Sequence, residues 1–245
     1  MRPSAFVFRY RLLVHAVIFL LAFTVPWDRW LRLDLDANGS TWLLLSTWTA
    51  RNHWLSFSAA TVAFLVFGAG CALAAALLRT WAAAYIGYAT VQSPLLHGDR
   101  VVAAGPYRYL RNPLYLGTIV HTFGLALLMP PSGAIFALVF VTGLELVLIA
   151  CEEPFLTAKL GDAYTAYRAR VPRIVPALTP RVPQSEMQAH WKTAFPAEIY
   201  YWGFFLTWLV VGWKYNASLM TQGVLISLGV ALVVRALLPR QAEKA

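Results

Sequence analysis

The chain has 245 residues, of which 59% are hydrophobic and only 13% are charged, with a formal net charge of +9. The charged fraction is about half that of an average soluble domain, and the mean hydropathy is +0.59. This composition excludes an ordinary soluble globular domain and indicates an integral membrane protein.

Six apolar stretches predict an all-α integral membrane helical bundle of about six transmembrane helices, within a range of about five to seven. The first is short but flanked by Arg, Tyr and Trp residues that suit the headgroup region. The fifth could instead be tilted or re-entrant. In chain order the stretches are Leu12 to Pro26, Phe57 to Leu78, Leu114 to Met129, Ala134 to Ala150, Ile199 to Trp213 and Leu219 to Leu238.

The basic residues set the expected orientation, because Lys and Arg concentrate in cytoplasmic loops. With a cytoplasmic N-terminus, all of them except Arg29, Arg32, Arg51 and Lys214 lie on the cytoplasmic side. Such a face favours anionic lipid headgroups. Because the charge is spread along the membrane boundaries, we expect no nucleic-acid partner. The expected location is a bacterial inner membrane.

Two polar motifs lie on this predicted cytoplasmic side. The first polar motif is Gly105 to Gly117, GPYRYLRNPLYLG, directly before the third stretch. The second polar motif is Cys151 to Leu156, CEEPFL, directly after the fourth. Charges at the ends of membrane helices are costly unless they face water, each other or a ligand. Together the motifs predict one site that binds a polar group beside an apolar one.

The first motif is suited to binding an anionic group. Pro113 disfavours helix at Asn112, so Arg111 and Asn112 are expected in a turn just before a helix. The helix N-terminus would then offer unpaired N–H donors to a carboxylate. On its first turn, the ring of Tyr115 can stack on a planar group, and Gly117 can let a ligand approach the backbone.

The second motif has the complementary chemistry. The carboxylates of Glu152 and Glu153 can hold ribose hydroxyls or a cationic group such as an ammonium or a sulfonium. The two motifs together suit a zwitterionic, nucleotide-like cofactor. The alternative is that they are interfacial anchors held by an Arg–Glu ion pair, and the residues alone favour neither interpretation.

A resemblance favours the first. The first motif, followed by Glu152-Glu153 and then by Leu160-Gly-Asp-Ala-Tyr164-Thr-Ala-Tyr167-Arg-Ala-Arg-Val-Pro172, resembles the isoprenylcysteine carboxyl methyltransferase family. The wider group includes phospholipid N-methyltransferases. Arg79-Thr-Trp-Ala, with Gly87 further on, resembles the segment before the motif. The resemblance covers roughly residues 79–176 and implies S-adenosylmethionine-dependent methyl transfer to a lipophilic acceptor, with the cofactor on the cytoplasmic face.

The resemblance also implies the site residues. Gln92, Tyr107, Asn112, Pro113, Leu114, Tyr115 and Glu152 correspond to cofactor-contacting positions, and Arg111, Gly117 and Glu153 are their neighbours in the motifs.

Two departures from the family bear on the acceptor. The family usually has histidine at the position of Asn112, and asparagine can hydrogen-bond but cannot carry a charge. Prenylcysteine enzymes place a basic residue about one turn before the acid pair, where this chain has Leu146 to Ala150. A prenylcysteine carboxylate is therefore disfavoured, while isoprenoid-linked and phospholipid-like acceptors both stay open.

Glu145 is the candidate catalytic residue, because it lies within the fourth stretch seven residues before Glu152 and can contact the acceptor. Its alternative is a hydrogen-bonded structural carboxylate. His15 and His121 also lie within apolar stretches, where packed or hydrogen-bonded histidines are expected. No Cys/His cluster has metal-ligand spacing, so no metal site is expected.

Two other functions stay open: a sterol- or steroid-type membrane reductase that uses NADPH, and a non-catalytic lipid-binding membrane protein. The expected division of the chain is into N-terminal spans with an outer loop (1–78), a methyltransferase core (79–183) and C-terminal spans (184–245). The oligomeric state does not follow from the sequence.

Overall fold

The computed structural model of the protein describes residues 3–32, 39–87 and 100–237. The described residues form ten α-helices and no strand, as expected for a membrane helical bundle. The helices are α1 (Pro3–Thr24), α2 (Trp27–Leu31), α3 (Thr41–Arg51), α4 (Phe57–Ile86), α5 (Pro113–Ala126), α6 (Pro131–Leu160), α7 (Asp162–Arg170), α8 (Trp191–Ala197), α9 (Ile199–Leu206) and α10 (Ala217–Leu237). A π-helical turn (Thr207–Val211) and a 3₁₀ turn (Gly212–Lys214) extend α9.

The long helices pack in the order α1, α6, α5, α4, α9, α10, and each is antiparallel to its neighbours. Between α1 and α6, a Cβ on Gly133 would overlap the carbonyl oxygen of Ala22, so the two backbones touch there. Between α9 and α10, a Cβ on Gly203 would overlap the side chain of Ser227. Small residues allow such close approach where lipid provides no hydrophobic drive for helix association.

This antiparallel arrangement brings six helix ends to one end of the bundle, which we call the site end. The starts of α1, α5 and α9 meet the ends of α4, α6 and α10 there. Arg11 near the start of α1 lies within electrostatic reach of Glu152 near the end of α6 and of Arg235 near the end of α10. Both polar motifs therefore lie at the same end, as predicted.

Four helices in the described residues are long and apolar enough to cross a bilayer: α1, α4, α6 and α10. Helices α8 and α9 with its extension pass together as one span bent by 63°, which agrees with the tilted or re-entrant alternative for the fifth stretch. Helix α5 has 14 residues, about 21 Å at 1.5 Å per residue. The count of six spans is therefore not confirmed, and the cytoplasmic N-terminus stays a prediction.

The surface of the bundle is apolar where lipid would lie. Large apolar side chains such as Leu20, Val66, Val139 and Ile226 are more than 60% exposed. In water such exposure would be unfavourable, whereas hydrocarbon accepts it without cost.

Two elements differ from the expectation. Helix α6 does not end before the second polar motif but continues through it to Leu160, where Gly161 with φ 57° breaks the helix. The apolar residues Phe155, Leu156, Leu160, Tyr164 and Tyr167, which recur at helical spacing after the motif, are therefore divided between α6 and α7. Helix α3 was not expected, and its first N–H groups, those of Thr41 and Trp42, donate to the carbonyls of Met129 and Leu127 after α5.

Candidate active site

The first polar motif begins with a 3₁₀ turn at Gly105–Arg108. Gly105 has φ 54°, a left-handed conformation that glycine adopts without strain. A Cβ at this position would also overlap the ring of Tyr85. Both the conformation and the close contact require glycine, so the turn follows directly from the sequence.

Helix α7 supports this turn through a buried hydrogen bond. The hydroxyl of Tyr167 donates to the carbonyl oxygen of Tyr107 at 2.7 Å. Burial raises the pKa of Tyr167, so the phenol keeps the proton that it donates. Burial also raises the pKa of Tyr107, whose hydroxyl lies within electrostatic reach of Glu152. Tyr107 is therefore a neutral group beside the second motif.

The proline-rich linker after α7 runs alongside the first motif. Backbone N–H groups of Ala177, Arg181 and Ser185 donate to the carbonyls of Tyr109, Arg108 and Ala103, each at 2.9–3.0 Å. The prolines at 172, 176, 180 and 183 favour an extended linker. This linker pairs with the residues that precede α5 and holds them in place.

Glu153 is enclosed by two arginines and is only 2% exposed. Nε of Arg111 donates to Oε1 at 3.0 Å, and Nη2 of Arg173 donates to Oε2 at 2.6 Å. The side-chain amide of Asn112 donates to the carbonyl of Arg173 at 3.0 Å. These contacts engage Arg111, Asn112 and Glu153 with other groups of the protein. The same contacts are expected if the three residues are interfacial anchors.

Glu152 lies on a different side of α6 and has different neighbours. The hydroxyl of Tyr115 donates to its Oε2 at 2.5 Å, and Arg11 lies within electrostatic reach of both residues. Glu152 and Tyr115 are partly exposed, whereas Glu153 is buried. The structure therefore separates two adjacent acids into one held by arginines and one accessible beside an aromatic ring.

Helix α5 begins at Pro113, as the sequence predicts, with Asn112 at its N-cap position. The Asn112 side chain makes no capping hydrogen bond, so the N–H groups of the first turn of α5 have no side-chain cap from this residue. A helix N-terminus in this state attracts anionic groups.

A buried ion pair fixes the same helix start from the other side. Arg79 on α4 donates to Glu198 at the bend between α8 and α9, with its Nε 2.7 Å from Oε2. Nη1 of Arg79 donates to the carbonyl of Leu114 at 3.0 Å and to the hydroxyl of Thr118 at 2.9 Å. The sequence predictions did not include this pair, although a glutamate directly before the fifth apolar stretch is a signal that could have indicated it.

Two candidate cofactor residues are not placed at the site by the described structure. Gly117 is buried, and a Cβ there would overlap the aliphatic stem of Arg79, so the glycine makes room for this arginine between α4 and α5 rather than for a ligand. Gln92 lies outside the described residues.

Glu145 is 2% exposed and pairs with His15 on α1, with Nε2 3.0 Å from Oε1. Nδ1 of the same ring lies 2.7 Å from the carbonyl oxygen of Arg11. Glu145 is thus hydrogen-bonded, and it lies on the face of α6 that carries Glu152, two helical turns deeper in the bundle.

The accessible groups at the site end fit a zwitterionic nucleoside cofactor. The carboxylate of Glu152 can accept from hydroxyl or ammonium groups, the N–H groups at the start of α5 can bind a carboxylate, and Tyr115 offers an aromatic face. The described residues contain no group of three or more His, Cys, Asp or Glu side chains that could hold a metal ion.

Comparison with known proteins gives one match. Residues 40–163 match the model of a family described as phospholipid methyltransferase. The matched segment includes both polar motifs, but it leaves out α1 and the bent pair α8–α9. No curated protein and no solved structure matches the chain.

Proposed function

Since the match covers just over half of the chain, the protein belongs to the phospholipid methyltransferase family, and on this premise we propose that it transfers the methyl group of S-adenosylmethionine to the headgroup amine of a membrane lipid. The observation that carries the proposal is the contact between Tyr115 and Glu152, 2.5 Å apart, which joins the two motifs of the matched segment. A methyltransferase that acts on lipid in a membrane follows from the family itself. The methyl donor and the acceptor are the proposed part.

When bound, S-adenosylmethionine supplies a methyl group on a sulfonium, which an attacking atom displaces in line. We assign the partly exposed Glu152 and Tyr115, with the donors at the start of α5, to holding it. Arg111, Asn112 and Glu153 keep the first motif and the linker in register. Tyr107, a neutral phenol beside Glu152, lies at the edge of the same site.

The acceptor is proposed from the charge deeper in the bundle. Beyond Glu152 along α6, the buried charged side chain is Glu145, and the residues between the two acids are mainly apolar. Glu145 can balance an ammonium once the proton between it and His15 has left, whereas the carboxylate of a prenylcysteine would add a second negative charge. A phospholipid-like amine is therefore favoured over an isoprenoid-linked acid.

The long apolar flanks of the bundle support lateral entry of such a lipid, with its headgroup directed to the site end. The site end is proposed to face the cytoplasm, where the donor is made, in line with the basic residues of the chain.

The test is an assay of methyl transfer. The purified protein in detergent is incubated with methyl-labelled S-adenosylmethionine and total lipid, and the labelled lipid is identified. We expect an alkali-stable label on the headgroup nitrogen of a phospholipid. An alkali-labile methyl ester on a prenylated acid would contradict the acceptor, and no retention of donor at millimolar concentration would contradict the whole proposal.

A further inference from the structure

The contact between α1 and α6 contains a hydrogen-bonded pair, His15 and Glu145, only one member of which lies in the matched segment. Glu145 is in residues 40–163, whereas His15 precedes them. The family match therefore assigns nothing to the histidine, although it is bonded to a buried acid two helical turns from Glu152.

The hydrogen bonds of the pair fix its protons. The carbonyl oxygen of Arg11 can only accept, so Nδ1 of His15, 2.7 Å away, carries a proton. Nε2 and Oε1 of Glu145 are 3.0 Å apart, a distance that also needs a proton between them, because two lone pairs would repel. The pair in its resting state therefore holds one shared proton. This proton can lie on either the imidazole or the carboxylate.

The position of the pair relates it to the acceptor. Glu145 and Glu152 are seven residues apart on one face of α6, a rise of about 10 Å. Since α1 is antiparallel to α6, Arg11 lies toward Glu152 while His15 lies toward Glu145. The pair therefore lies about 10 Å deeper than Glu152 along α6, and His15, with 16% of its side chain exposed, is its accessible member.

The buried acids Glu153 and Glu198 are already paired with arginines. Glu153 is held by Arg111 and Arg173, and Glu198 is held by two nitrogens of Arg79. Glu145 uses Oε1 toward His15, and a carboxylate has a second oxygen that can accept from another donor.

Other titratable and charged groups reach this region from every helix around it. They are Arg11 on α1, Arg79 on α4, Tyr115 and His121 on α5, Glu152 on α6 and Tyr201 on α9, with Arg235 on α10 within electrostatic reach of Arg11.

We propose that the His15–Glu145 pair exchanges its shared proton for the ammonium of the acceptor lipid, and that His15 then takes the proton that must leave the nitrogen before methylation. This inference rests on the function proposed above, because it takes a lipid amine as the acceptor. The exchange keeps the charge of the buried site constant, since one cation enters as one proton leaves to water. Keeping the charge constant avoids the high cost of an unbalanced charge at this depth.

Atoms, electrons and charge balance in this reaction. Nε2 of His15 accepts one proton from the bound ammonium, which frees the lone pair of the nitrogen. The lone pair forms a bond to the methyl carbon, and the carbon–sulfur bond breaks with its electrons on sulfur. The products are a methylated ammonium and a neutral thioether, and the pair is left with one proton, as at the start.

The first test counts protons without turnover. Short-chain phosphatidylethanolamine is titrated into the full-length protein with S-adenosylhomocysteine, the demethylated product, in two buffers of different ionisation enthalpy. We expect the parent to release about one proton per lipid bound. His15→Gln should do the same, because without the histidine the buried Glu145 holds the proton itself, so the role of His15 is tested by the rates of methylation. His121→Gln is the matched control, since His121 is also buried but bonds to Tyr200; its proton count should equal that of the parent.

The second test measures rates with the same lipid. His15→Gln should methylate about 100-fold more slowly at pH 7, the usual contribution of a general base. Its rate should rise with pH more steeply than that of the parent, because the free amine then forms in water. Glu145→Gln should lose lipid binding, while both variants keep the affinity for S-adenosylhomocysteine, which also shows that they are folded.

The outcomes separate the inference from the proposed function. A parent that releases no proton, or a His15→Gln variant with the parent's rate at pH 7, overturns the inference and leaves the methyltransferase standing. If His15→Gln does not bind S-adenosylhomocysteine, Glu145→Gln is tested in its place. A number of protons released by Glu145→Gln equal to that of the parent would also overturn the inference. A parent that binds S-adenosylhomocysteine but methylates no lipid amine overturns both the inference and the proposed acceptor.

Discussion

Glu152 and Glu153 are adjacent, yet the fold gives them opposite roles. Successive residues on a helix point about 100° apart, so Glu153 faces the linker with Arg173 while Glu152 faces α1 and Tyr115. Glu153 is a buried acid with two arginines, and Glu152 is a partly exposed acid that accepts from one phenol and lies within electrostatic reach of Arg11. The difference can be measured in the stability of the protein without any ligand.

Glu153→Gln should lower the stability of the unliganded protein by about 3 kcal/mol, because it leaves Arg111 and Arg173 without their buried partner. Glu152→Gln should change the stability by less than about 1 kcal/mol, since it replaces one hydrogen-bond acceptor by another. Thermal melts in one detergent check both variants. Equal melting temperatures for the two would contradict the division of roles.

The sequence could not supply this division. Pro113 and Asn112 predicted the start of α5 correctly, because the restriction before proline is local. The partner of Glu153 is Arg173, which reaches it only because the chain breaks at Gly161 and turns back through α7 and the linker. Glu198 finds Arg79 across 119 residues. Contacts of this range depend on how helices pack, and no local pattern encodes them.

At the scale of elements, the contact between α1 and α6 depends on Gly133, and a second glycine of α6, Gly143, has a different environment. Gly133 touches the carbonyl of Ala22, whereas Gly143 has no atom within 4 Å of the position of an added Cβ. One helix thus carries a packed glycine and a lipid-facing one.

Gly133→Leu should separate α1 from α6 and destabilise the protein, because the side chain would overlap backbone rather than a movable side chain. Gly143→Leu, the matched control, should be tolerated, because its side chain would enter lipid. The ratio of folded to aggregated protein in gel filtration checks both. A well-folded Gly133→Leu protein would show that α1 is not held where the structure has it.

The sequence predicted helices correctly where they are long and apolar. Helices α1, α4, α6 and α10 correspond to long stretches that a hydropathy argument finds. Helix α3 was missed because its 11 residues include Ser and Thr and are too few to span. Helix α6 was ended too early, because charged residues in a sequence look like the end of a span even where the helix continues.

At the scale of the whole molecule, the antiparallel order of the helices puts the N-terminal end of α1 and the C-terminal end of α10 at the site end. The predicted division of the chain into residues 1–78, 79–183 and 184–245 stays a prediction. The packing order interleaves these segments, since α4 from the first lies between α5 and α9.

Tags at the N-terminus and at the C-terminus should both report the cytoplasm, while a tag at Asn216 should report the opposite side. The reason is that Asn216 lies between α9 and α10 at the end of the bundle away from the site. Reporter fusions or accessibility of introduced cysteines check this topology. Termini on opposite sides of the membrane would contradict the bundle order.

The central claim is that Glu152 and Tyr115 form the cofactor site, and the affinity for S-adenosylmethionine tests it most directly. Titration calorimetry should show binding to the parent, and Glu152→Gln should weaken it by roughly tenfold to a hundredfold, the effect of losing a charge-assisted hydrogen bond of about 1.5–3 kcal/mol. The unliganded melting temperature of the variant must match that of the parent, so that lost binding is not misfolding. If Glu152→Gln binds S-adenosylmethionine as tightly as the parent does, the claim is contradicted and Glu152 is a structural residue.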